Sequence, residues 1–152
     1  MNPHEHMKLD NQICFAIYAS SREITKLYRP LLSNLGLTYT QYVTMLALWE
    51  KDNVTVSELG SRLYLDSGTL TPLLKKLEAA GLVNRTRDKN DERSVLVTLT
   101  PDGESLREKA VDIPGQLACK LDGTPEEGAV LLSQMQELLD RVKRYSVLID
   151  EE

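Results

Sequence analysis

The 152-residue sequence predicts a mainly α-helical fold with one small β-hairpin. Three observations predict this fold class. Apolar residues recur at helical spacing through most of the chain, capping residues precede the helical runs, and residues 82–99 alternate between apolar and polar instead. An apolar content of 41% over this length is enough for one substantial core.

The first predicted element is a long amphipathic helix near the amino terminus. Asp10 is expected to cap it, and Gly36 is expected to end it, because glycine readily adopts the left-handed conformation that closes a helix. Its apolar stripe consists of Ile13, Ile17, Ile24, Leu27 and Leu31.

Capping boxes mark the start of the next two helices. Thr38 pairs with Gln41, and Thr55 pairs with Glu58, so that side-chain oxygens accept hydrogen bonds from backbone N–H groups of the first turn. Trp49 lies on the apolar side of the first of these helices.

A further helix follows a turn at residues 64–65, capped by Asp66 and closed by Gly81. Its inward-facing residues are Leu70, Leu73, Leu74 and Leu77. Two short helices joined by a turn form a helix-turn-helix. Pro72 lies past the first turn and cannot donate to the carbonyl one turn earlier, so we expect a bend or a late helix start.

The alternating stretch predicts two strands, at residues 82–87 and 94–99, with Val95, Val97 and Leu99 on one face. The polar residues 88–93 between them are typical of a turn that projects into solvent. A helix-turn-helix followed by such a hairpin, or wing, is a winged helix-turn-helix, and the combination is more specific than either part.

Two helices are predicted after the hairpin, opening at residues 100–101 and 124–125, where a threonine precedes a proline. Residues 114–115, Pro-Gly, are expected to kink the first. In the second, a heptad seam is formed by Leu131, Met135, Leu138, Val142, Tyr145 and Ile149. Such a seam packs against a partner helix or against its own domain. With the long first helix, it suggests the two dimerisation arms of a homodimer.

The net charge of −5 is unevenly distributed. Residues 1–100 carry 12 Lys and Arg against 11 Asp and Glu, which gives +1, whereas residues 101–152 carry 6 against 12, which gives −6. Six cations form either a basic surface or an ordinary solvated face: Lys75, Lys76, Arg85, Arg87, Lys89 and Arg93. The sequence has no apolar run of membrane-spanning length and its start does not read as a signal segment, so we expect a cytoplasmic protein without a membrane partner.

The helix from Asp66 is expected to lie in the major groove of double-stranded DNA. Ser67, Thr69 and Thr71 offer short hydrogen-bonding groups to the bases, and Lys75 and Lys76 offer charge to phosphates. The wing presents Lys89 and Arg93; Arg93 is expected in an A·T-narrowed minor groove, with Asp91 or Asp88 holding it in shape. A dimer predicts a pseudo-palindromic operator.

The sequence resembles the MarR-type winged-helix repressors at residues 55–59, 81–83, 88–94 and 99–103. Within that family it is most similar to the organic-hydroperoxide-sensing repressors, through residues 64–78 and through residues 9–15 around Cys14. Pro72 is usual in that subgroup. The resemblance covers nearly the whole chain and implies three parts: a dimerisation and sensor helix at 1–36, the winged helix-turn-helix at 37–100, and C-terminal dimerisation helices at 101–152.

Two widely spaced cysteines, Cys14 and Cys119, do not form a structural disulfide framework, and each is either redox-active or a small hydrophobe. The resemblance implies that Cys14 is the peroxide sensor. Only a thiolate attacks an O–O bond, so the anion needs stabilisation.

The resemblance suggests that Tyr28, from the same helix, and Tyr39, from this chain or its partner, donate hydrogen bonds to the thiolate. Tyr18 lines the pocket, and Phe15 and Ile17 give it an apolar wall; the alternative is that the tyrosines are ordinary interface residues. Cys119 matches the region of the resolving cysteine in the two-cysteine members, which forms a disulfide across the dimer.

Two other functions are consistent with parts of this pattern. One is a repressor released by a small aromatic ligand. The other is a thiol peroxidase, which is disfavoured because no catalytic Arg or His constellation accompanies the cysteine, so we expect no enzymatic activity. A metal site from His4, His6 and Cys14 lacks a known ligand spacing, and neither a metal nor another cofactor is expected.

Overall fold

The structure is a computed structural model that describes residues 2–150, with side chains described as far as residue 146. It contains two compact units, Met1–Pro114 and Gly115–Glu152. The three-part functional division of the chain remains a prediction.

The first unit contains five helices and three short strands. They are α1 (Ile13–Leu32), α2 (Tyr39–Glu50), β1 (Val54–Thr55), α3 (Val56–Leu63), α4 (Ser67–Ala79), β2 (Val83–Arg87), β3 (Val95–Leu99) and α5 (Pro101–Ala110). Two further helices follow, α6 (Ile113–Lys120) and α7 (Pro125–Asp150), and short 3-10 turns lie at Pro3–Met7, Leu9–Asn11 and Ser33–Leu35.

The start of α1 differs from the prediction. Asp10 does not cap the helix but lies inside a 3-10 turn, and the residue before α1 is Gln12. The side-chain amide of Gln12 donates to the backbone oxygens of His6 at 2.6 Å and Lys8 at 3.0 Å, which folds the preceding segment back on itself. At the other end, α1 stops at Leu32 and continues into the 3-10 turn Ser33–Leu35, which Gly36 closes with a φ of 66°, so the chain leaves the helical conformation in the predicted segment.

The predicted N-terminal caps of α2, α3 and α4 are confirmed. Thr38 and Gln41 form a full capping box, the Thr55 hydroxyl accepts the Glu58 N–H at 3.0 Å, and Asp66 accepts the Thr69 N–H at 2.6 Å. Helix α4 therefore begins directly after Asp66, so the proline within it does not delay the start.

The core lies beneath α4 and the hairpin. All four predicted leucines of α4 are buried, together with Tyr42, Met45 and Leu48 of α2, Leu59 of α3, and Val83 and Val97 of the hairpin. Full burial of such side chains contributes about 1.5–3 kcal/mol each. This packing fixes the orientation of α4, so its opposite face is held outward.

Strand β3 is the centre of a three-stranded antiparallel sheet in the order β1-β3-β2. The predicted hairpin pairs Val83 with Leu99 and Arg87 with Val95. The third strand, β1, pairs Val54 with Val97 and was not predicted, because two residues are too few to show alternation.

The chain after the hairpin breaks rather than kinks near Pro114. Helix α5 ends at Ala110 and α6 starts at Ile113, so the proline lies in the first turn of a new helix, where its missing N–H costs nothing. The threonine cap predicted for α7 is confirmed, and Thr124 and Glu127 together form a capping box, at 2.8 and 3.2 Å.

The heptad seam of α7 is largely exposed. Leu131, Met135, Val142 and Tyr145 are 57%, 38%, 54% and 71% exposed, whereas the side chain of Ile149 lies outside the described residues. Among the described residues, no helix is long and apolar enough to span a bilayer.

Candidate DNA-reading and redox-sensing sites

The outward face of α4 carries the residues predicted to read DNA. Ser67, Thr71 and Lys75 are spaced by four residues and share a ridge of the helix that borders the buried leucines on one side. Ser67, Thr69, Lys75 and Lys76 are exposed and Thr71 is half-buried. Thr69 and Lys76 lie on the other flank of the helix, so the predicted polar groups border both sides of its exposed face.

The wing tip is ordered by its own acidic residues. Asp91 accepts the backbone N–H of Arg93 at 3.0 Å and the hydroxyl of Ser94 at 3.2 Å, and Asp88 accepts the N–H of Asn90 at 2.9 Å. Asp91 therefore shapes the backbone of the tip. The side chains of Lys89 and Arg93 are exposed and form no ion pair within the described part of the chain.

Not all six cations of this region are equally available. The guanidinium of Arg87 donates to the backbone oxygen of Glu92 at 3.0 Å, and that of Arg85 donates to Glu78 at 3.2 Å. The exposed lysines of α4 and the two cations of the wing remain as the basic surface, which suits phosphate and groove contacts.

Cys14 is an exposed free thiol in the first turn of α1. Its neighbours Phe15, Ile17 and Tyr18 are 41%, 37% and 58% exposed. The hydroxyl of Tyr18 accepts a hydrogen bond from Arg22 at 3.2 Å, and the guanidinium lies 5.5 Å from its ring centroid. Large apolar side chains beside an accessible thiol are a feature that the fold of one chain leaves unexplained.

Tyr28 and Tyr39 meet at the junction of α1 and α2. Their ring centroids are 4.7 Å apart, and Tyr42 lies 5.8 Å from Tyr28. The first two border a groove of about 590 Å³, with Ser21, Thr25 and Arg29 along one wall. Burial, and then the neighbouring phenols, raises the pKa of Tyr28 to about 12, so its hydroxyl stays a hydrogen-bond donor at neutral pH.

Cys14 and Tyr28 of one chain cannot touch each other. They are fourteen residues apart on the continuous helix α1, and at 1.5 Å per residue this is about 21 Å along the axis. The expectation that Tyr28 serves the thiol of its own helix is therefore wrong. Fourteen residues are just under four turns, so the two side chains do lie on nearly the same face.

Cys119 is also an exposed free thiol, near the end of α6. It borders a cavity of about 570 Å³ within the second unit, lined mainly by apolar groups that include Ala118, Leu121 and Leu131. The thiol is thus accessible to another chain.

Comparisons with known proteins identify the family. Residues 26–110 match the model of the transcriptional regulator SarA/Rot. The organic hydroperoxide resistance transcriptional regulator of Bacillus subtilis is 53% identical over 91% of this chain and 95% of its own length. The chain belongs to the MarR/SarA family of winged-helix transcriptional regulators.

Solved structures of this family agree with that assignment. The reduced, DNA-bound form of AbfR, a protein of Staphylococcus epidermidis, shares 34% identity over 91% of this chain and 96% of its own, with a TM-score of 0.75. The disulfide form of AbfR matches with a TM-score of 0.64, at 35% identity over 93% and 96% of the two chains. The predicted winged helix-turn-helix is confirmed, and its function is DNA-binding transcriptional regulation.

Two contacts of this MarR/SarA regulator were not predicted from its sequence. Tyr42 follows Tyr39 at helical spacing, a signal that could have placed it in the tyrosine cluster. The carboxylate of Asp52 accepts the N–H of Leu99 at 2.9 Å, forty-seven residues away, and sequence offers no signal for such a pairing. Among the described residues, no group of three or more His, Cys, Asp or Glu could hold a metal.

Proposed function

We propose that this regulator is a cytoplasmic homodimeric repressor that leaves its operator when an organic hydroperoxide oxidises Cys14. The observation that carries the proposal is the separation within α1. An exposed thiol with apolar neighbours lies at one end of the helix, and an open groove with two phenols lies at the other. Neither half is a complete site in one chain, but a second chain would complete both.

A two-fold axis near Ser21 would join these halves. Ser21 is the midpoint of Cys14 and Tyr28, so two antiparallel α1 helices crossing there place each thiol beside the partner's Tyr28 and the partner's Tyr39. The short side chain of Ser21 is exposed and allows close approach. The exposed seam of α7 gives the same dimer a second apolar surface.

The chemistry then follows from the surroundings of the thiolate. Two neutral phenol hydroxyls donate hydrogen bonds to the sulfur, and each such bond to a charged group contributes about 1.5–3 kcal/mol. The thiolate attacks the outer oxygen of the hydroperoxide, the O–O bond breaks, and the leaving alkoxide takes a proton to become an alcohol. Sulfur is oxidised to sulfenic acid, and the peroxide is reduced. Phe15, Ile17 and Tyr18 favour an organic over an inorganic peroxide.

Cys119 completes the reaction as the resolving residue. Its thiolate attacks the sulfenic sulfur of the partner's Cys14, a disulfide forms, and the hydroxyl leaves as water after protonation. The α-carbons of a disulfide lie within about 7 Å of each other. A relative that has been solved in both a reduced and a disulfide form supports a disulfide as an oxidised state of this fold. Movement of the dimerisation helices would then change the spacing of the two winged helix-turn-helix domains on the DNA.

The reduced dimer would bind a pseudo-palindromic operator. Ser67, Thr69 and Thr71 face the bases of the major groove, and Lys75 and Lys76 face phosphates. Lys89 and Arg93 of the wing reach the adjacent minor groove, with Asp91 keeping the tip in shape. A relative solved in its reduced form on DNA supports DNA binding by the reduced protein.

The test is a titration of operator binding against cumene hydroperoxide. Wild-type protein is expected to release DNA, whereas Cys14→Ser is expected to bind with unchanged affinity and not to release it. Release of DNA from the Cys14→Ser variant would remove the sensor assignment. Release by small phenols together with indifference to peroxide would favour the ligand-controlled alternative.

The resolving step has its own variant. Cys119→Ser is expected to form a stable sulfenic acid that a dimedone probe labels, and to lose the disulfide-linked dimer on a non-reducing gel. An oxidised dimer band of unchanged intensity would refute the resolving role without affecting that of Cys14.

A further inference from the structure

One charged contact joins α4 to the wing. Glu78 lies near the end of α4, and Arg85 lies in the middle of β2. One carboxylate oxygen of Glu78 accepts the backbone N–H of Arg85 at 3.1 Å, and the other accepts the guanidinium Nη2 at 3.2 Å. Because the carboxylate holds both the backbone and the side chain of one residue, it fixes the direction of the strand as well as its distance from the helix.

The guanidinium of Arg85 points inward rather than toward a ligand. Its side chain is 22% exposed, and its Nε is buried without a hydrogen-bond partner in the described part of the chain. Arg85 lies opposite the fully buried Val97 of β3 and two residues after the buried Val83, on the same face of the strand. The lysines of α4, in contrast, are exposed.

The carboxylate of Glu78 is charged at neutral pH. The bonds from Arg85 hold the pKa of Glu78 below its ordinary value, which outweighs a smaller opposing effect of burial. The contact is therefore an ion pair with two hydrogen bonds, and a neutral glutamine at position 78 would keep the shape but lose the charge.

We propose that the Glu78–Arg85 pair is a positioning brace: it sets the wing relative to the recognition helix so that one protomer makes its major-groove and minor-groove contacts together. Neither residue touches DNA in this proposal. The inference rests on the minor-groove role of the wing proposed above, and it adds that the two contacts are energetically coupled through Glu78.

The experiment compares Glu78→Gln with Glu58→Gln, which makes the same change of net charge at an exposed glutamate of α3. The first probe is a short duplex that the wild-type dimer selects from a random-sequence library. The second probe is the same duplex with G·C pairs in place of the A·T pairs beneath the wing. Wild-type protein should bind the second duplex more weakly, and this ratio of affinities is the wing penalty.

Glu78→Gln is expected to bind the selected duplex about three- to tenfold more weakly, the size of a partly exposed charged contact. The wing penalty is expected to shrink, because a misplaced wing makes few minor-groove contacts that the G·C pairs could disturb. Glu58→Gln should keep the wild-type wing penalty and should bind the selected duplex at least as tightly as wild type. A simple electrostatic effect has the opposite sign, since removing a carboxylate near DNA strengthens binding.

Three results would overturn the brace. The first is equal binding by Glu78→Gln and Glu58→Gln. The second is a smaller active fraction of Glu78→Gln with an unchanged wing penalty, which would show a purely structural role. The third is a salt slope that falls by about 0.9 in Arg85→Gln, the change expected on removal of one phosphate interaction, because that identifies Arg85 as a phosphate ligand.

The brace and the proposed wing contact can fail separately. If wild-type protein shows no wing penalty, the minor-groove role fails. The coupling of the two grooves fails with it, and only the placement of the wing by Glu78 and Arg85 is then judged, on the selected duplex alone. Weaker binding by Glu78→Gln with an unchanged salt slope supports that placement, and unchanged binding overturns it.

Discussion

A mixed dimer gives the sharpest test of the shared sensor site. One chain carries Cys14→Ser, and the other carries Tyr28→Phe with Tyr39→Phe. This mixed dimer retains one Cys14, on the tyrosine-deficient chain. If the phenols act across the dimer, that Cys14 faces the intact tyrosines of the partner chain. One complete site is restored, although each chain alone is defective.

The expected loss of oxidation rate follows from the two hydrogen bonds that the phenols donate to the thiolate. Each phenol bond to a thiolate contributes about 1.5 kcal/mol at the lower end, which suits a half-buried donor, and about 1.4 kcal/mol corresponds to a factor of ten. Loss of both bonds, about 3 kcal/mol in all, lowers the ionisation constant of the thiol about a hundredfold, so the tyrosine-deficient homodimer should oxidise about ten- to a hundredfold more slowly than wild type. The mixed dimer should recover the wild-type rate with half of the amplitude.

The assay uses two differently tagged chains, co-expressed and purified through both tags. Oxidation of the single remaining Cys14 is followed by loss of reactivity toward a thiol-specific dye after mixing with cumene hydroperoxide, in a Cys119→Ser background. A mixed dimer as slow as the tyrosine-deficient homodimer would refute the reasoning, because it would mean that the phenols serve their own chain or none. Wild-type and Cys14→Ser chains mixed in the same way provide the amplitude control.

Three further predictions concern the reader and the tyrosine cluster. Asp66→Ala removes the carboxylate that accepts the Thr69 N–H, and is expected to lower the free energy of unfolding by about 1 kcal/mol in urea titrations monitored by circular dichroism; Asp66→Asn, a good cap, should lose much less. The burial of neutral Tyr28 stabilises the fold at pH values below its ordinary pKa of 10.0, and this contribution is lost as pH rises toward the folded pKa of about 12. Tyr28→Phe should therefore reduce the fall in the free energy of unfolding between these pH values. An unchanged fall in that range would contradict the burial of the phenol. Lys75→Gln should reduce the salt slope of operator binding by about 0.9, the value for one phosphate interaction, and should weaken binding to all sequences alike, whereas a reduced preference among sequences would assign Lys75 to base contacts.

Local signals in the sequence predicted most of the winged helix-turn-helix. The signals used were the caps at Thr38, Thr55 and Asp66 and the leucines of α4. Each depends on residues within one or two helical turns, so the sequence alone is enough to predict it. The prediction for Asp10 was wrong because Gln12 bonds backward to the preceding turn, a choice that side-chain preferences do not reveal.

The sensor was predicted from resemblance rather than from physics. Nothing in the sequence alone separates Tyr28 and Tyr39 from ordinary interface residues, and the relation of Cys14 to its donors needs the length of an unbroken helix. The Glu78–Arg85 contact lay equally beyond prediction. Arg85 looked like one of six similar cations, and only the strand pairing shows which of them turns inward.

The position of β3 between β1 and β2 has a consequence for how such regulators diversify. Strand β3 is hydrogen-bonded to a strand on each side, whereas residues 88–93 lie beyond the last ladder pair and are held mainly by their own turn. Substitutions or insertions at that loop cost the core little, since exposed loop tips tolerate change. New target preferences can therefore arise in that loop through mutation while the helices beneath it keep the same sequence.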